Sequence, residues 1–321
     1  MVGLRDMKER GYIPTKQFVQ MVIRGTFSLA KILATRAGAL KNVNQALPRE
    51  EQYVRPPRRY LLPEYRPGMD CCAVDEKYLR PTLFCDPHAP EVVALAHQLG
   101  AFSKSDYEFA RAAHEFVKRN ILLEIMPLDG VASTLRRGTG TCLQINSVFV
   151  ALCRAAGIKA RYKIFSARQS AAMYNDIYDA MVRQWYDALG FFSIEADVEV
   201  YVDGTWMLAN VGPTPARQAA MGSPITTLGE GSIGNWFEAV PGTVWRSESL
   251  PLGIGLLSRL LLFLAPGSVN KLNVNIIRQR EKGEAIIAQA GGEERYDARI
   301  RAQRSKLPRM ELAKEINVHF R

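Results

Sequence analysis

Apolar residues recur every three or four positions from Phe18 to Leu33: Phe18, Val19, Val22, Ile23, Phe27, Ala30 and Leu33 fall near one side, with Lys16, Arg24 and Lys31 roughly opposite. This spacing predicts an amphipathic helix over residues 15–40. Such a face can lie on a membrane, but docking onto the body of the protein or a second subunit is the preferred reading. Residues 48–67 break the pattern with proline and arginine (Arg55-Pro56-Pro57-Arg58-Arg59) and predict an extended connection.

Regular patterning resumes at Pro90, with a helix expected through Leu99. The next helix starts at Ser105-Asp106-Tyr107-Glu108, a capping box in which Ser105 and Glu108 satisfy amides at the helix start. Phe109, Ala113, Phe116 and Val117 form its inner face, and it should end near residues 120–124, before Pro127. Arg137-Gly138-Thr139-Gly140-Thr141-Cys142 is a glycine-rich turn leading into an apolar helical run, Leu143 to Ala156, closed by Gly157 as a left-handed cap. Cys142 is therefore expected at a helix N-terminus. Strands are predicted at 159–165, 196–202 and 205–208, the last two joined by the tight-turn pair Asp203-Gly204. An inserted helix is predicted over Ala171 to Leu189.

The most apolar stretch, Leu250 to Ala265, is interrupted by Pro251, Gly253, Gly255 and Arg259 and falls short of the roughly 20 residues a spanning helix needs. It reads as a buried helix, and no transmembrane segment is expected. Mixed helices and hairpin strands give an α+β fold, divided as an N-terminal extension (1–89), a core (90–248) and a C-terminal helix with a basic tail (249–321).

The net charge of +10 sits at the two ends: residues 1–60 hold 12 Lys/Arg against 4 Asp/Glu, and residues 271–321 hold 12 against 7. These charges lie among apolar residues, without the aromatic interleaving of a single-strand binder and without a zinc-finger, RNA-recognition or zipper pattern, so nucleic acid is not expected as a partner. The basic ends are expected to face solvent or a protein partner, and a homo-oligomer is open. A charged start with no apolar run before a cleavage site, together with an odd count of five cysteines, predicts a cytoplasmic protein rather than a disulfide framework. Cys71-Cys72 and Cys85-Asp86-Pro87-His88 do not supply four well-spaced ligands, so neither a metal nor a cofactor is expected.

A cysteine at a helix start feels the positive end of the helix dipole and nearby amides, which favour thiolate and can hold an oxyanion. Cys142 is the candidate nucleophile, with Gly140 and Thr141 as the candidate oxyanion loop. Gly138–Cys142, then Phe149–Arg161, then Val198-Glu199-Val200-Tyr201-Val202-Asp203-Gly204-Thr205-Trp206 resemble the transglutaminase-like superfamily, as do the preceding helix 106–120 and Ser133-Thr134-Leu135. The resemblance covers roughly residues 90–215. It implies a papain-like core in which a Cys-led helix packs on an antiparallel sheet that brings a His and an Asp to the thiol.

In that pattern the His position, eleven residues before Trp206, is occupied by Glu195, and the Asp position, four after Trp206, by Asn210. A carboxylate is a poor substitute for an imidazolium. With ordinary values near 8.5 for Cys and 4.3 for Glu, thiol-to-carboxylate proton transfer is uphill by roughly four pK units, about 5 to 6 kcal/mol. Burial of Glu195 and a cation near Cys142 would narrow that gap, and Lys159, Arg161 and Lys163 are the candidate cations. Asp197 shares the strand face of Glu195 but has the same charge. His88, His97, His114 and His319 are expected to serve packing or surface roles. Two functions stay open: acyl transfer or amide hydrolysis through a Cys142 thioester, acting on a peptide, amide or thioester, or a catalytically inactive module that binds a peptide or partner.

Overall fold

The computed structural model describes residues 4–13, 16–35, 48, 52–189, 192–233 and 237–304. Parts of three expectations lie outside these residues: the ends of the first amphipathic helix (15 and 36–40), residues 49–51 of the Pro/Arg connection, and the tail from 305, including His319.

The chain opens with α1 (Leu4–Glu9) and α2 (Lys16–Thr35). An extended segment then leads to α3 (Pro90–Leu99) and α4 (Asp106–Asn120). The Ser105–Glu108 capping box is formed, and Phe109, Ala113 and Val117 are buried behind it. The short strand β1 (Leu122–Leu123), the helix α5 (Val131–Arg137) and the strand β2 (Thr139–Gly140) follow, with β2 pairing in parallel with β1. This small ladder fixes the glycine turn before α6 (Cys142–Ala155), which Gly157 closes at φ 80°.

The main sheet is built from β3 (Ala160–Gln169), β4 (Phe192–Val202) and β5 (Thr205–Ala209), all antiparallel. β6 (Phe237–Ala239) and β7 (Trp245–Ser247) pair successively along the other edge of β3. β4 and β5 turn through Asp203 at φ 49° and Gly204 at φ 78°, the backbone that the Asp-Gly pair favours. α6 lies against β3 and β4 on one side and against α3, α4 and α5 on the other. Val148, Phe149 and Leu152 of α6 and Val198, Val200 and Val202 of β4 belong to this core. The architecture is therefore the expected α+β one, with helical extensions.

Several elements differ from expectation. The inserted helix is two helices, α7 (Ala171–Asp176) and α8 (Ala180–Leu189). Asp179 accepts a hydrogen bond from the Val182 amide at 2.8 Å and so starts a new helix in mid-segment. β3 runs to Gln169, past the expected end at 165, because a bulge between Phe165 and Ala167 lets it continue and pair with β6. On α2, the described side chains Val19, Ile23, Phe27 and Ala30 of the expected docking face are exposed. Leu29 is buried and the Gly25 carbonyl accepts from the Trp185 indole on α8 at 3.1 Å, while the side chains of Phe18, Val22 and Leu33 lie outside the described residues.

After β5 come α9 (Pro215–Ala220), α10 (Ile254–Leu264), α11 (Pro266–Gln289) and α12 (Glu293–Arg304). α10 is not the buried helix expected: Leu256 is 75% exposed and Phe263 80%. The single charge in this run, Arg259, is exposed on the same side as Leu256 and Phe263, so one residue alone marks the solvent side of an otherwise apolar stretch. α9 packs closely on α11, where a Cβ on Gly283 would collide with the Ala216 carbonyl. Among the described residues, no single helix is long and apolar enough to cross a membrane.

Candidate active site

Thr141 caps α6 and Gln144 reciprocates: the Gln144 amide donates to Thr141 Oγ1 at 3.3 Å, and the Thr141 amide donates to Gln144 Oε1 at 2.8 Å. Cys142 is thereby fixed as the first helical residue, half-buried, with its own amide and that of Leu143 directed at the sulfur. The Thr141 amide is committed to Gln144, so the donors nearest the thiol are those of residues 142 and 143. Gly140 lies where a Cβ would crowd the Gln144 side chain at 2.9 Å. α6 is tied to β4 beside the site by Asn146, which donates to the Ala196 carbonyl at 2.8 Å.

Ala196, Val198, Val200 and Val202 alternate along β4 with three acids, each held differently. Glu199 is paired with Arg161 at 2.7 Å and Arg246 at 3.0 Å. Asp197 accepts from Asn210 at 2.8 Å and from the Ser232 amide and hydroxyl at 3.0 Å. Among the described residues, Glu195 makes no such ion pair. Gln169, at the end of β3, donates to its Oε1 at 3.2 Å.

Cys142, Glu195, Asn210 and Arg217 line one cavity of about 310 Å³. Arg217 is the cation that sequence reasoning missed. Thr214 caps the short helix α9 and sets Arg217 in place. Its Nε donates to Gln279 on α11 at 3.0 Å, and Nη2 approaches Met173 Sδ at 3.7 Å. Burial lowers the Arg217 pKa to about 10, against the attraction of Glu195 and Cys142. It remains charged at neutral pH.

Burial pushes Glu195 up to about 7, with Asp197 adding to the rise and the Gln169 hydrogen bond and Arg217 opposing it. Burial also pushes the Cys142 thiol well up, followed by the Glu195 charge, while the two amides and Arg217 pull it down. The resting site near neutral pH is thus a protonated thiol beside a carboxyl group in mid-titration, with a fixed cation facing both. Burial has raised the carboxyl towards the value a general base needs.

The three cations expected from sequence are engaged elsewhere. Lys159 pairs with Glu76 at 2.5 Å, Arg161 serves Glu199 and lies 3.8 Å over the Trp206 ring, and Lys163 faces Asp197. Asn210 reaches the cavity, but its side chain holds Asp197 and accepts from Thr226 at 3.1 Å. Buried Lys118 donates to the Asn210 carbonyl at 3.2 Å and to Thr226 at 2.8 Å. His88, His97 and His114 lie outside the cavity lining. Among the described residues, no group of three or more His, Cys, Asp or Glu side chains is arranged to hold a metal.

Residues 93–211 match the transglutaminase-like superfamily. A candidate cysteine protease of known structure from Cytophaga hutchinsonii is 21% identical to the chain, with a TM-score of 0.32. That similarity covers 46% of this chain and 45% of the other, so it spans less than half of either. No curated protein shows significant similarity to the chain. The superfamily match begins inside α3 and ends just beyond Asn210, taking in the cysteine-led helix and the strands it packs on, and the chain thus carries a transglutaminase-like core, the fold of a superfamily of cysteine-dependent enzymes.

Proposed function

We propose that the protein transfers or hydrolyses acyl groups through a Cys142 thioester, with Glu195 as general base and Arg217 as fixed cation. In the first half-reaction Cys142 Sγ attacks the carbonyl carbon of an amide or thioester as its proton passes to the Glu195 carboxylate. The Cys142 and Leu143 amides, which point at the sulfur, then donate to the oxyanion. Collapse breaks the bond to the leaving amine or thiol, which takes the proton back from Glu195. Water or an amine then attacks the thioester, again losing its proton to Glu195, and the thiol is restored.

The observation that carries this reading is the half-buried Glu195, brought to about 7 beside Cys142 and Arg217 in one cavity. Asn210, through Asp197, is a positioning residue. A partner-binding module is the second reading, and the thiol held in its protonated form favours it.

Exposing the protein to S-acetyl-N-acetylcysteamine at pH 8 and locating the adduct by mass spectrometry separates the two. Acetylation should fall on Cys142 and disappear in Cys142→Ala. Labelling of the exposed Cys72 alone, with Cys142 untouched, counts against an enzyme.

A further inference from the structure

We infer that the cavity above Cys142 receives a straight hydrocarbon chain, making the acyl donor a medium-chain fatty acyl thioester or amide; this rests on the reading of Cys142 as acyl acceptor. The chemistry of the cavity walls points to this ligand. Thr141, Cys142, Glu195, Asn210 and Arg217 supply the polar groups of the reacting centre, and the rest of the lining is almost wholly aliphatic, aromatic or thioether. Ile177, Val182 and Trp185 contribute from one side, Leu262 from α10, and Leu272 and Ile276 from α11.

The two serines in these walls are already satisfied. Ser258 donates to the Gly255 carbonyl at 2.9 Å and Ser268 to Asp179 at 2.6 Å. A peptide substrate would bring backbone N–H and C=O groups into a space whose described walls offer them few partners away from the reacting centre, a costly burial. An alkyl chain brings none. Its one polar group, the carbonyl, would meet the thiol and the amides of residues 142 and 143.

The wall also gives the flanking segments a role. α2, through Leu29, and α10 and α11 lie outside residues 93–211, yet they complete the cavity over the core's thiol. α10 turns Leu262 and Leu264 to the cavity while Leu256 and Phe263 stay exposed, so the cavity wall is continuous with an apolar surface. A cavity of about 310 Å³ has room for an alkyl chain beyond the reacting carbonyl.

Calorimetric titration of the Cys142→Ser protein with straight-chain primary amides from butanamide to tetradecanamide tests the inference without turnover. Affinity should rise about fourfold per added methylene and level off once the chain fills the cavity. Val269→Trp, at the cavity wall, should weaken octanamide binding at least roughly tenfold and butanamide binding much less. Affinity that does not depend on chain length overturns the inference. Acetylation of wild-type Cys142, which needs no chain site, is read separately: flat binding with acetylation intact removes the hydrocarbon ligand alone, whereas steep binding without acetylation removes the acyl-transfer reading and keeps the ligand.

Discussion

Arg217→Leu should slow acetylation of Cys142 by a factor of about 10²–10³, the loss typical of removing one preorganised electrostatic group from a closed site. The same change should move the ionisation of Glu195 above its present position near 7, because Arg217 is the cation that holds it down. Arg217→Lys should recover part of the rate, since it keeps the charge but loses the fork that reaches Gln279. Leu also leaves Gln279 Oε1 without its donor, at a cost of about 1–3 kcal/mol in stability. The shift in the pH inflection is therefore the diagnostic readout, because a purely structural arginine would leave it in place. An unchanged rate and inflection would remove Arg217 from the site's chemistry.

Glu195→Gln should move activity and stability in opposite directions. The Glu195 carboxyl holds its proton up to about 7 in the folded protein, against about 4.3 in an unfolded chain. Its contribution to stability is then full below about pH 4 and is lost as the pH rises through 7, where the fold carries a half-buried carboxylate. Gln stays neutral and can still accept from Gln169. The variant should match wild type at pH 4 and exceed it by on the order of 3–4 kcal/mol at pH 8.5 in denaturant titrations. Lys118, which burial lowers from 10.5 to about 7, adds the opposite slope above pH 7, but it is present in both proteins and cancels in the comparison. Acetylation should fall by about 10²–10⁴, the usual contribution of a general base. Equal stability at both pH values would mean that Glu195 is ionised at no unusual cost.

What could be read from the sequence was local. The glycine turn, the Thr141–Gln144 cap and the Cys142-led helix are set by residues within a few positions of one another, and Asp203-Gly204 marks its own hairpin. The acid at every second position of β4 was equally visible, and its alternation with Ala196, Val198 and Val200 identified Glu195 as sharing a face with Asp197. Arg217 was not legible. It sits in the sequence Pro-Ala-Arg-Gln-Ala-Ala, a stretch for which the pattern predicts no element and no motif points to chemistry. It becomes buried only because Gly283 allows α11 to close on α9. Gln169 was missed because a bulge carries β3 four residues past the point where the strand was expected to end. Lys159, Arg161 and Lys163 were plausible cations by proximity in sequence, but strand alternation and the neighbouring acids turn each elsewhere. The role of the flanks was hidden for a similar reason: whether the apolar sides of α2 and α10 face a cavity or solvent depends on how they pack on α8 and α11.

Single-turnover acetylation of Cys142 followed from pH 5 to 10, in wild type and Glu195→Gln, tests most directly whether these residues form a working nucleophile. If Glu195 is the base, the wild-type rate rises to an inflection near 7 and then levels off, while the variant is slower and lacks the inflection. If instead both proteins speed up only at high pH, as an isolated thiol ionises, and the variant is as fast or faster because the opposing charge has gone, Cys142 is not served by Glu195 and the site is no catalyst of this kind.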